Sequence, residues 1–353
     1  MHKLRKILDD LSLDAILFTH PPNIRYFCGF TGSEGVLVVD LTATFFLTDS
    51  RYTQQARGEV FSDNIREYKV REDEIQSLLK ERPARRVGFE ADFLAFGKVR
   101  KLEEKTAGEV EWVPLGAEIR SLRGEKNIQE IDKIRHAAGL NFSAFEEVLP
   151  LIKPGKSERE VALALEFALK KLGGEEKAFD FIVASGFRGA LPHGIASEKK
   201  ICFGELVTID FGIRWEGYHS DETITVAVGQ VPDKLEAVFD TVLAAHDRAI
   251  EKIRPGMSLR EIDGFARQYI VDNGFGDYFG HGLGHGVGLE VHEYPVLSPR
   301  SEDVAVEGMV VTVEPGVYIP EVGGVRIEDM ILITSDGCEV LTRIPKNMRI
   351  LSL

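Results

Sequence analysis

Four acidic residues stand where acids are costly. Asp210 falls inside the apolar run "LVTIDFGI" (206–213) and Glu314 inside "VVTVEPGV" (310–317), both written like β-strands. Asp221 follows a turn at Glu216-Gly217, and Glu328 follows a turn within "PEVGG" (320–324). Each pair brackets its turn almost symmetrically, so an antiparallel hairpin would bring its two acids onto neighbouring positions of one face. Four like charges cannot share an apolar environment unless they are protonated or neutralised. Two divalent cations would balance them, in a site with ions about 3.5–4 Å apart bridged by carboxylates and a hydroxide. One such acid alone reads as a solvated hairpin residue. Two equivalent pairs read as chemistry.

A nitrogen donor is available in "GHGLGHGVGLEVHEYP" (280–295), where His281, His285 and His292 alternate with glycines that permit close approach of backbone or ligand. The stretch is not a dinucleotide fingerprint, because no strand–turn–helix unit with a distal acid surrounds it. It is not a zincin motif either, since no histidine lies three residues after Glu293. The "DFG" at Asp210 lacks every other protein-kinase signature. A further histidine, His193, sits in a Gly-containing loop at nearly the same offset from His292 as the two strand acids show.

That offset belongs to an internal repeat, which supplies the elements that must position these groups. "KPGKSEREVALALEFALKKLGG" from Lys153 and "RPGMSLREIDGFARQYIVDNGFG" from Arg254 share a Pro-Gly-x-Ser-x-Arg-Glu entry. Each predicts a capping box (Ser157/Glu160, Ser258/Glu261), an amphipathic helix and a glycine stop. A period near a hundred residues is too long for a solenoid and describes one domain built from two similar halves. A long amphipathic helix carrying Ile128, Ile131, Ile134, Ala138, Phe142 and Phe145 precedes the repeat. Upstream, "DAILFT", "GVLVVD", "ATFFLTD", "RRVGFEAD" and "EVEWVPL" read as strands, with helices at "SRYTQQARGE" and Phe96–Lys105, so the first third is a separate α/β domain. The pattern breaks at "LRGEKN", which sets the domains at 1–123 and 124–353.

With 353 residues, two domains are expected, and 44% hydrophobic content is that of a globular chain. A net charge of −14 argues against nucleic acid or an anionic membrane as a partner. Cys28, Cys202 and Cys338 form no Cys-x-x-Cys pair, which predicts reduced thiols and a cytoplasmic protein rather than a disulfide framework or zinc cluster. The N-terminal stretch has an apolar helical face but no signal-peptide core and no membrane span.

Taken together, "IDFG", "YHSDET", "GHGLGHGVGLEVHE", "TVEPGVYIP" and "GGVRIEDM" resemble the proline-specific metallopeptidases, the Xaa-Pro aminopeptidases and Xaa-Pro dipeptidases (prolidases) related to methionine aminopeptidase and creatinase. "GFTGSEG" and "FLTDSRYTQQA" are similar to the creatinase-type N-terminal domain of the same family. The resemblance implies a creatinase-like α/β domain followed by a pita-bread domain with a pseudo-twofold repeat. It implies hydrolysis of the Xaa-Pro bond at peptide N-termini by a metal-bridging hydroxide. Asp210, Asp221, His285, Glu314 and Glu328 would be the metal ligands, with Asp221 and Glu328 bridging. One histidine among four carboxylates favours Mn²⁺, with Co²⁺, Fe²⁺ or Zn²⁺ as alternatives. Glu314 would carry protons, His193 and His292 would hold the substrate carbonyl or amine, and Arg326 would orient carboxylates. His281 reads as structural. A homodimer acting on short peptides with proline second is implied as well.

One departure bears on specificity. Some prolidases carry an arginine just after the "HE-aromatic-Pro" stretch to hold the substrate carboxylate, whereas here Val296 follows Pro295 and the nearest arginine is Arg300. Both dipeptidase and aminopeptidase activity therefore stay open. A methionine-aminopeptidase-like enzyme fits less well, because such enzymes usually lack the first domain. Creatinase-like or binding relatives normally lose several of the five ligands, all of which are present here.

Overall fold

The computed structural model describes residues 2–351, and the chain divides into two compact units, residues 1–123 and 124–353. In the first, six strands form one sheet in the order Asn64–Glu67, Thr44–Thr48, Val36–Asp40, Ala15–Phe18, Arg86–Glu90, Glu111–Leu115. The three strands Ala15–Phe18, Val36–Asp40 and Thr44–Thr48 run antiparallel in succession, while the outer pairings are parallel. The central strands are continuously apolar because both faces are covered. Ile16, Phe18, Leu37, Val39 and Phe46 enter one core, and Ala15, Leu17, Val36, Val38 and Leu47 the other. Two helices, Pro21–Cys28 and Arg71–Glu81, and the strand Asn64–Glu67 were not expected from sequence. The strand lies at the sheet edge with no buried residue, so it carries no alternating signal.

The second unit is the duplicated one, and the repeat starts one helix earlier than the shared Pro-Gly entry suggests. Ile128–Val148 (21 residues) is answered by Asp233–Lys252 (20 residues), and Glu158–Lys171 by Leu259–Asp272. Backbone bonds repeat with the elements. The Gly155 amide donates to the Ile201 carbonyl and the Gly256 amide to Ala305; the Glu158 amide donates to Lys199 and the Leu259 amide to Asp303. Both entry glycines have positive φ (87° and 84°), which explains their retention in both copies. The expected capping box forms at Ser157/Glu160 but not at Ser258/Glu261. Ser258 occupies the N-cap with φ −64°, ψ 133° against −85°, 155° for Ser157, and its side chain takes no amide.

In the first half, Ile182–Ser185, Glu205–Phe211 and Glu222–Val228 form an antiparallel sheet extended by Ile350–Leu351. Two-residue alternation gives that sheet two characters. Val207, Ile209, Phe211, Ile224 and Val226 pack under the first two helices, while Thr208, Asp210, Thr223 and Thr225 take the opposite face. In the second half, a five-stranded sheet runs Glu293–Leu297, Gly284–Gly286, Val310–Val313, Asp329–Ile333, Cys338–Val340, backed by the helices Asp233–Lys252 and Leu259–Asp272. The helices thus cover the apolar faces and leave the polar ones for the site. Among the described residues no helix is long and apolar enough to cross a membrane.

Candidate active site

Hairpin register places the four acids. Asp210 pairs with Thr223 and Arg214 with His219 in one continuous register, which sets Asp221 across from Gly212, diagonal to Asp210 and on its face. Gly212 is required there, because a Cβ would collide with the carbonyl of Ser220. In the second half, Val313 pairs with Asp329 and Gly316 with Arg326, again in one register, so Glu314 and Glu328 fall opposite each other at the break between the two ladders. At that break their amides turn elsewhere. Glu314 N–H donates to Leu283 and Glu328 N–H to Thr223, tying the acids to the histidine strand and to the first half.

His285 arrives on the short strand Gly284–Gly286, its amide bonded to Thr312 Oγ1 at 3.0 Å. Its Nε2 lies 3.3 Å from Glu314 Oε1 and 3.6 Å from Asp221 Oδ2. One ligand atom each from Asp221, His285 and Glu328 lies within 4.8 Å of the others, a spacing that suits a metal ion. Asp210 Oδ2 is bonded by Arg326 Nη2 at 2.6 Å, while its Oδ1 is buried and has no hydrogen-bond partner. An orphaned buried carboxylate oxygen beside three converged donors fits a cation-binding role.

The electrostatics agree. Burial, then the neighbouring carboxylates, push the Asp221 and Glu328 pKa values well above the carboxylate range. Burial also raises Glu314 to about 8, against the pull of Arg326. His285 is lowered to about 3 by burial and by His292, leaving a neutral imidazole as a donor. Without counter-ions, then, Asp221, Glu314 and Glu328 avoid charge by keeping protons.

Arg326 organises the surroundings from full burial. Its Nη1 donates to Tyr318 OH (2.9 Å) and to the Pro192 carbonyl (3.1 Å), and its Nε to Thr223 Oγ1 (3.1 Å). Thr223 Oγ1 in turn donates to Glu328 Oε2 at 2.6 Å, and Thr312 Oγ1 to Glu314 Oε1 at 3.2 Å. Tyr318 OH also meets His281 Nε2 at 2.9 Å, which accounts for that histidine without a ligand role. Burial lowers His281 to about 4. Tyr318, Thr223 and Thr312 were missed in the sequence. The signal for Tyr318 was available, since it lies diagonal to Arg326 across the second hairpin. The His292 ring lies tilted against that of His285 with centroids 4.2 Å apart, and His193 is close enough to lower the pKa values of both His281 and His292. Val296 pairs with His285 across the ladder and is 53% exposed, and Arg300 is exposed farther along.

Residues 132–335 match metallopeptidase family M24, and residues 1–124 match the creatinase/prolidase N-terminal domain. The chain belongs to metallopeptidase family M24. M24 membership implies divalent metal ions and makes the protein a metal-dependent hydrolase of peptide bonds. Its relatives include an Xaa-Pro dipeptidase from Pyrococcus furiosus, 40% identical over 99% of both chains. A solved Xaa-Pro dipeptidase from Bacillus anthracis superposes with TM-score 0.97 at 44% identity, covering 99% of this chain and 98% of that one. An X-Pro aminopeptidase from Thermotoga maritima gives 0.91 at 35% identity, covering 98% and 100%. The mixed α/β architecture of creatinase-type domain plus pita-bread domain expected from sequence is thereby shown.

Proposed function

We propose that this chain cleaves the bond preceding proline at the N-terminus of short peptides, with two divalent cations held by Asp210, Asp221, His285, Glu314 and Glu328. The observation that carries the reading is the buried carboxylate set, offset within the site by the single charge of Arg326 and containing the unpartnered Asp210 Oδ1. Prolyl specificity is supported by relatives bearing the names Xaa-Pro dipeptidase and X-Pro aminopeptidase. Bound cations would supply a water that ionises near neutral pH and would polarise the scissile carbonyl. One imidazole among four carboxylates suits oxygen-preferring ions, and Mn²⁺ is the proposed metal.

The side chains do the remaining work. Glu314 is the proton carrier, accepting at a carboxylate oxygen and returning the proton to the leaving nitrogen. His292, whose pKa burial lowers, presents a neutral ring, and together with His193 it holds the substrate carbonyl or amine. Arg326 fixes Asp210 through Oδ2 and frees Oδ1 for a cation. A prolyl nitrogen offers no N–H, so recognition rests on the ring and the free amino terminus. With valine at 296, no guanidinium beside His285 selects for a dipeptide carboxylate, and longer peptides are accepted too. The working form is taken to be a cytoplasmic homodimer.

Hydrolysis of Ala-Pro and Ala-Pro-Ala with added Mn²⁺ tests the proposal. Cleavage before proline is expected in at least one, lost with chelator and in Asp221→Ala. Cleavage of Met-Ala-Ser with neither prolyl peptide cut would refute it.

A further inference from the structure

The first half contains a buried carboxylate that the proposed chemistry does not use. Glu158, the first residue of the helix Glu158–Lys171, is fully buried. Its Oε1 accepts from the Ser185 amide (2.8 Å) and hydroxyl (2.9 Å), and its Oε2 from the Ser197 amide (3.1 Å) and hydroxyl (2.6 Å). Arg188 Nη1 completes the set at Oε2, and Arg188 Nη2 donates to the Ile195 carbonyl at 2.9 Å. A buried carboxylate is tolerated when fully bonded and paired, and five donors from three residues meet that demand.

Those contacts share a purpose in space. Ser185 precedes the loop that carries His193, Ser197 closes it, and Arg188 crosses from its start to Ile195, two residues past the histidine. Apolar burial does not shape this loop, since Phe187, Leu191 and Ile195 are 58%, 50% and 57% exposed. Near the site the loop is tied by the bond from Arg326 to the Pro192 carbonyl. The duplication supplies a comparison: the helix-start position equivalent to Glu158 is Leu259, which is buried in the second apolar core. An ordinary helix start in this scaffold is satisfied by leucine, so the carboxylate answers to the loop rather than to the helix.

We infer that Glu158, with Arg188, is a positioning residue for His193, a clamp that sets the substrate-side histidine by closing both ends of its loop. The inference rests on the prolyl-peptidase reading for the role of His193, and the clamp itself is independent of it.

The test combines kinetics with amide exchange in Glu158→Gln and Arg188→Ala, each made alone and with His193→Ala. On Ala-Pro-Ala, either clamp variant is expected to lose about 10- to 100-fold in kcat/KM, as displaced supporting groups typically do. In the His193→Ala background the further loss should be under about threefold, because the group being positioned is already gone. Hydrogen exchange of the Ser185 and Ser197 amides in metal-free protein should accelerate in both variants. Equal losses with and without His193 would reduce the clamp to a stability feature, and unchanged exchange would remove it altogether. If Glu158→Gln does not fold, Arg188→Ala, at the partly exposed end of the pair, carries the same comparison. If the wild-type protein cuts no prolyl peptide, the functional reading fails while the exchange result still decides the clamp.

Discussion

Stripping the cations should make the protein lose stability as pH rises from 5 to 8. Glu314 has an ordinary carboxyl pKa of 4.5 and is held at about 8 in the fold, chiefly by burial. The native state therefore keeps this proton through a range in which the unfolded chain has released it. Its contribution to folding is whole below pH 4.5, declines between 4.5 and about 8, and stays lost above that. For this one group the decline reaches about 4 kcal/mol at pH 8. In a unit of this size that corresponds to roughly 10 °C in Tm. Asp221 and Glu328 are shifted in the same direction, and burial holds Glu222 at about 7, so they add to the fall. The assay is thermal unfolding of chelator-treated protein from pH 5 to 8, wild type beside Glu314→Gln, with and without Mn²⁺. The metal-free wild type should lose about 10 °C or more. The glutamine variant, which cannot ionise at 314, should lose less. Mn²⁺ should raise Tm more at pH 8 than at pH 5, because cations bind the ionised form and cost less to bind once the protons have gone. A flat or rising metal-free curve, or identical slopes for the two proteins, would refute the view that these acids are held neutral by burial.

Arg326→Lys should lower kcat/KM about 10- to 100-fold, since an ammonium cannot reproduce the fork that reaches Asp210, Tyr318 and Thr223 together; unchanged kinetics with both prolyl peptides would count against its orienting role. Val296→Arg puts a guanidinium across the ladder from His285, and the ratio of Ala-Pro to Ala-Pro-Ala hydrolysis should rise at least several-fold, measured by product release under matched conditions. Lys346→Met leaves Glu222 and Asp329, which share its buried ammonium at 2.7 and 3.2 Å, without that partner; a loss of about 3–5 kcal/mol is expected in denaturant unfolding, and a loss under 1 kcal/mol would show that the pair carries little.

The sequence displayed much of this arrangement because its constraints are local. The alternation Val207-Thr208-Ile209-Asp210-Phe211 names both faces of a strand, and near-symmetric acids about a turn imply a hairpin pair. The core strands of the first unit were visible as apolar runs. What escaped notice depends on distant partners. Asn64–Glu67 is an edge strand defined by its neighbour, with no buried residue to announce it. Lys126 meets Glu293 at 2.9 Å while both side chains are buried, though 167 positions separate them, and neither residue type advertises burial. Glu158 stands in a helix's first turn, where a negative charge is ordinary and marks nothing. Thr223 was hidden for a different reason: it is at home in a strand, and its bonds to Glu328 and Arg326 emerge only when the hairpins face each other.

That facing is where the duplication becomes a site. Thr225 Oγ1 donates to the Arg326 carbonyl at 2.9 Å, and Thr208 Oγ1 lies 3.1 Å from Thr225 Oγ1 and 3.4 Å from the Gly324 carbonyl. Thr223 accepts the Glu328 amide on its carbonyl and bonds the Glu328 side chain with its hydroxyl. Threonine suits this junction on two counts. Its branched body favours a strand, and its hydroxyl can satisfy polar atoms that two apolar sheets would leave stranded. With valine at these positions the halves could still stack, but Glu328 would lose the hydroxyl that orients it and Arg326 Nε its acceptor. An apolar junction would also give the acids no reason to lie on the shared face, since the alternation that directs Thr208 there directs Asp210 as well. Convergence of the acids and adhesion of the halves therefore follow from the same pleat. Duplication of one hairpin could supply a second pair of acids in the correct orientation without a second invention, after which the halves were free to diverge at positions such as Glu158 and Leu259 that serve only one side.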